Sequence, residues 1–130
     1  LRLHYGQNGR RQALLDALDH RLAVLRDHDI VPSAMLMGGS FVSDKAEPGD
    51  VDALIAYRLT HGDAPTEVAR AAMRKSNDGL DLRFVPDDAG PVMLFKLCCF
   101  FHTMYQRIDG AHLRGCLLVD LLNNDDPGKE

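Results

Sequence analysis

The sequence predicts an α+β domain, a mixed β-sheet with helices packed on it, and three observations carry that expectation. Leu14, Leu18, Leu22 and Leu25 recur at helical spacing within Gly9 to Asp27, with Arg, Asp and His on the other face. Leu80 to Val85 alternates: Leu80, Leu82 and Phe84 point one way, and Asp81, Arg83 and Val85 the other. Short apolar runs bounded by glycine and proline stand between the helical patterns, giving the order α-β-β-α-β-α-β.

Each element has its own signals. The first helix should end near His28-Asp29, because Pro32 lies a few residues beyond. Ala34 to Met37 is apolar and stops at Gly38-Gly39, which reads as a strand. Asp50 to Tyr57 is the next strand, buried over most of its length, after a polar loop holding the turn dipeptide Pro48-Gly49. Thr66 is a candidate N-cap for a short helix running to about Ser76, although Pro65 at a first helical position would set the cap earlier. The alternating strand from Leu80 follows, then a loop over Pro86 to Pro91. Val92 to Tyr105 reads as a strongly apolar helix against the sheet, and Cys116 to Leu122 as the last strand. Residues 1–8 and 123–130 read as flexible ends.

A chain of 130 residues favours a single domain over its whole length. The hydrophobic share of 45% and charged share of 26% are ordinary for a globular protein. The longest apolar stretch, Val92 to Phe101, contains Lys96 and is too short to span a bilayer, so no membrane partner is expected. No opening segment reads as a signal peptide, and the leucine at position 1 suggests a trimmed piece. A net charge of −4 argues against broad nucleic-acid binding but not against a triphosphate held through metal ions. Cys98, Cys99 and Cys116 read as reduced core residues of a cytoplasmic protein, and none has zinc-ligand spacing.

The chemistry concentrates between Gly38 and Tyr57. Asp50 and Asp52 stand two apart at the head of a strand, so both carboxylates face one way, roughly 6–7 Å apart. Ionised neighbours repel, and a hard cation relieves them. If the strand carrying Asp81 lies alongside, three carboxylates converge. Two divalent ions about 4 Å apart serve phosphoryl-type transfer, which is largely positioning and charge neutralisation. The Gly39-Ser40 turn can offer backbone N–H groups and a hydroxyl to a phosphate.

Gly39-Ser40, nine intervening residues, Asp50-Val51-Asp52 and the later Asp81 resemble the minimal nucleotidyltransferase fold of the polymerase-beta superfamily. The run from Gly39 to Asp52 is similar to small bacterial nucleotidyltransferase-like proteins, uncharacterised or of antitoxin type. The resemblance covers Met35 to Val85 well and the flanking elements more loosely. It implies that Gly39 and Ser40 contact the nucleotide phosphates. Asp50 and Asp52 would hold magnesium, or manganese in its place, and Asp81 would complete the metal site and help deprotonate the acceptor. Relatives of this size transfer a nucleoside monophosphate from a nucleoside triphosphate such as ATP to a protein, an RNA end or a small molecule. Others act as antitoxins on a partner toxin. A catalytically inactive binding module on the same fold, working by contact with a toxin or another copy, is therefore the alternative expectation.

Plainer readings stand beside these. Gly38-Gly39 and Pro48-Gly49 could only shape a hairpin, but turn chemistry does not call for Asp50 and Asp52 beyond them. An EF-hand would need a third oxygen ligand and a glycine where the apolar strand runs, and a Walker loop a Gly-Lys-Ser/Thr. Asp81 and Arg83 read equally well as an ordinary same-face ion pair or as a site acid with its supporting charge. Lys45, Arg107 and Arg114 read as solvated. No pair of the six histidines has zincin spacing, and His102 reads as a core or helix-end residue. The Met35/Met37 and Phe100/Phe101 pairs read as core, and Asp87-Asp88 and Asp125-Asp126 as solvated acidic pairs.

Overall fold

The computed structural model describes residues 9–39, 50–74, 79–105 and 116–123. Expectations placed on Ser40, Lys45, Pro48-Gly49, Ser76, Arg107, Arg114, His4, His112, Asp125-Asp126 and the segments 1–8 and 124–130 lie outside the described residues. The elements are α1 (Gly9–Asp27), β1 (Ile30–Gly38), β2 (Val51–Leu59), α2 (Glu67–Met73), β3 (Leu80–Pro86), α3 (Pro91–Tyr105) and β4 (Leu117–Asp120). That is the expected order and an α+β architecture.

Helix α1 buries Leu14, Leu18, Leu22 and Leu25, with Leu15 and Arg11 beside them. Its stop is Asp29, whose left-handed φ of 67° turns the chain directly into β1. The Asp29 carboxylate accepts hydrogen bonds from the Thr60 hydroxyl (2.8 Å) and faces His61 (3.1 Å). Those two contacts, Thr60 first, hold its carboxyl below the ordinary range. The first strand starts at Ile30, not Ala34, and Pro32 lies within it. Proline cannot donate to a ladder, and the register with β2 slips between Pro32 and Ala34, so a bulge accommodates it. Thr66 is the cap of α2: its hydroxyl accepts from the Ala69 N–H at 3.1 Å. The helix ends at Met73, short of Ser76, where Arg74 turns extended.

The four strands lie in the order β3-β2-β1-β4. The β2–β3 pair is parallel and the other two pairs are antiparallel. One face carries the main core. There α1 and α2 pack Leu14, Leu18, Leu22, Leu25 and Ala69 onto Met35, Met37, Val51, Ile55, Leu80 and Val119. The other face carries a thinner cluster, in which Phe101 and Tyr105 of α3 cover Leu36, Leu54 and Val85. Helix α3 begins with Pro91 at its first position, where the missing N–H costs nothing. Only Phe101 and Tyr105 of this helix are buried. Phe100, Cys98 and Cys99 are exposed, which corrects the expectation that they belong to the core. All three cysteines are free, and Cys116 is half-buried against the thinner cluster. Among the described residues, no helix is long and apolar enough to cross a membrane.

Candidate functional site

Strand pairing brings the predicted residues together at one end of the sheet. Gly38 of β1 pairs with Asp52 of β2, and Asp52 pairs in turn with Asp81 of β3. Neighbouring strands lie about 4.8 Å apart, so the two aspartates are side by side. Alternation sends Val51 and Ala53 into the main core and Asp52 to the α3 face. On β3 the same alternation sends Leu80 and Leu82 inward and Asp81 to the α3 face. Both aspartates are half-buried. Arg83, two residues along, donates from Nε to Asp81 Oδ1 at 3.3 Å.

Gly39 lies against this pair. Its φ is +73°, a left-handed conformation that glycine adopts freely, and a Cβ there would collide with the Asp52 carboxylate. The positive φ is what calls for glycine here, since the Asp52 carboxylate is the end of a side chain and can swing aside. Asp50 sits one residue ahead of β2 and is exposed, while the Val51 N–H is fixed to the Gly79 carbonyl at 2.7 Å. Ser40 lies outside the described residues. Oxygen donors of this kind suit a hard cation such as magnesium or manganese, which keeps waters and takes substrate phosphates as further ligands. Among the described residues, however, no three His, Cys, Asp or Glu side chains stand together as a metal-binding group. The pair formed by Asp52 and Asp81 is what the fold assembles.

A family model matches residues 1–119. The chain belongs to DUF6932, a family of unknown function. No curated protein and no solved structure matches it.

The site of this DUF6932 chain includes a residue that sequence reasoning missed. Tyr105, the last residue of α3, is buried, and its ring rests on Gly38 so closely that a Cβ on that glycine would collide with it. Burial first, then the nearby charges of Asp52 and Asp81, push its phenol well above the ordinary tyrosine range. The phenol therefore stays protonated beside the carboxylates and can donate a hydrogen bond. The available signal was a polar aromatic closing an apolar helix, since a buried tyrosine hydroxyl usually finds a partner. The DUF6932 chain also has a cavity of about 300 Å³ near Arg58, Gly62, Asp63 and Asp87. It opens at the far end of β2 and β3, away from Asp52 and Asp81, and Arg58 and Asp87 are paired there at 2.9 Å.

Proposed function

We propose that this chain is a magnesium-dependent nucleotidyltransferase of the polymerase-beta superfamily type. It would move a nucleoside monophosphate from a nucleoside triphosphate, with ATP the first to try, to a hydroxyl on a protein, an RNA end or a small molecule. The observation that carries the reading is the side-by-side pairing of Asp52 and Asp81, with Gly39 pressed against Asp52. Like charges opposite each other on adjacent strands need positive charge to offset them; Arg83 supplies some at Asp81, and a cation between the two carboxylates would serve both.

Asp52 and Asp81, with Asp50 ahead of them, would hold magnesium, and manganese fits the same oxygen donors. The metal, when bound, supplies positive charge against the triphosphate. Gly39 lets the backbone approach the phosphates closely, and Ser40 adds a hydroxyl. Asp81 accepts the proton of the acceptor hydroxyl, and the Arg83 guanidinium beside it fixes the carboxylate's position. The acceptor oxygen then bonds to the α-phosphorus as the bridge to the β-phosphate breaks and pyrophosphate leaves. Free cysteines and a nucleoside triphosphate substrate both suit the cytoplasm.

Transfer of labelled nucleotide in the presence of magnesium tests this. The wild type should label an acceptor, and Asp52→Ala or Asp81→Ala should lose at least about a hundredfold in rate. No turnover with any of the four nucleotides over a range of acceptors, with nucleotide binding unchanged in Asp52→Ala, would sink the reading. A second reading is an antitoxin-like module on the same fold, acting by contact alone. That reading expects Asp50→Ala and Asp52→Ala to leave the biological effect intact.

A further inference from the structure

We propose that the outward face of α3 is a self-association surface, on which a second copy of this chain packs antiparallel about a two-fold axis. The proposal is independent of any nucleotide chemistry. Helix α3 is apolar on nearly all sides, a pattern that belongs to a helix covered on nearly all sides. The sheet covers only the side of Phe101 and Tyr105, with Leu94 and Leu97 half-buried beside them. Val92 is 78% exposed, Phe95 72% and Phe100 60%, with Met93 and Met104 also exposed. Leu118 of β4, at 71%, stands on the same face of the sheet, since it pairs with Leu36.

Area, charge and symmetry select the occupant. The exposed apolar side chains of α3 amount to on the order of 500 Å² per copy, so two copies reach about 1,000 Å², where specific interfaces begin. The chain carries a net charge of −4, yet α3 contains no aspartate or glutamate. Two acidic copies can meet there without opposing carboxylates, whereas a basic partner would be drawn to the acidic surfaces elsewhere. Lys96 carries its charge on a long stem that can reach the rim.

Helical geometry makes the face self-complementary. At about 100° per residue, Val92, Lys96, Cys99 and Thr103 form the outward seam. Phe95 flanks this seam on one side and Phe100 on the other, at equal heights from the midpoint between Leu97 and Cys98. A two-fold axis at that midpoint sets Phe95 of one copy at the height of Phe100 of the other on opposite sides of the seam, so each copy's two rings flank its partner's seam residues and every contact occurs twice. It also brings the two Cys99 residues near each other.

Sedimentation velocity over a wide concentration range tests the proposal, together with oxidation by copper(II)–phenanthroline. The wild type should be dimeric. Phe95→Asp, an exposed substitution, should weaken association by at least about a hundredfold with unchanged circular dichroism. Phe100→Asp should do the same, which guards against one variant misfolding. A Cys98→Ser dimer should cross-link through Cys99, and adding Cys99→Ser should abolish the cross-link. A wild type that is monomeric at every concentration, including one that binds an unrelated protein through α3, overturns the proposal. So does a dimer unaffected by both aspartate substitutions, or a Cys98→Ser dimer that does not cross-link.

Discussion

Tyr105 closes an otherwise apolar helix, and its phenol is buried where Gly38, Asp52 and Asp81 stand in a row across three strands. Its pKa is raised in the fold, by burial first and by the two carboxylates second. In the unfolded chain the phenol titrates near its ordinary value of about 10. A raised pKa means that the folded form favours the protonated phenol. That contribution is fully present below about pH 10 and is lost as pH rises from there towards the folded value. Thermal melts between neutral pH and strong alkali should therefore show the wild type losing stability more steeply above about pH 10 than Tyr105→Phe. Tyr57, raised by its own burial, leaves a smaller slope in both proteins. Equal slopes for wild type and Tyr105→Phe would refute the assignment. At this scale the sequence was uneven. Asp52 and Asp81 were legible because strand alternation fixes the side on which they fall. Tyr105 was not, because its place depends on how a helix lies on a sheet, and a single sequence does not encode that distance.

The elements differ in how much of their stability is local. Helix α2 has seven residues and buries only Ala69, so its first turn depends on the bond from the Ala69 N–H to the Thr66 hydroxyl. Thr66→Ala should lower stability by about 1 kcal/mol, read as a lower urea midpoint at unchanged slope, while Thr66→Ser should stay close to wild type. A midpoint unchanged in Thr66→Ala would show that packing, not capping, holds the helix. Helix existence and the order of elements along the chain were readable because each rests on local periodicity and punctuation, whereas the order of strands within the sheet was not. The misread boundaries have tertiary causes. The apolar run suggested a strand beginning at Ala34, but a bulge lets β1 run from Ile30 through Pro32. The apolar density of α3 suggested that Phe100, Cys98 and Cys99 belong to the core, but among the described residues the sheet covers one side of the helix and these three are exposed.

Across the whole molecule, the two faces of the sheet are unequally held. The α1–α2 side encloses fully buried leucines, methionines and isoleucines, whereas the α3 side rests on the smaller cluster around Phe101 and Tyr105. Such asymmetry predicts that α3 opens at a lower free energy than α1. Tyr105 travels with it, so the same opening uncovers the face on which Asp52 and Asp81 lie. Fold and candidate site are coupled in this way: the least stable layer is the one over the carboxylates. Hydrogen exchange in dilute protein should show amides of α1, β1 and β2 exchanging only through global unfolding, and those of α3 exchanging faster. On the proposed function, magnesium with nucleotide at about a hundred times the dissociation constant should add roughly 2.7 kcal/mol to the folded state. That increment should appear first as slower exchange at Val51, Asp52 and Asp81, and it should vanish in Asp52→Ala. Uniform protection of α1 and α3 would refute the unequal layers, and protection by ligand that survives Asp52→Ala would place the ligand elsewhere.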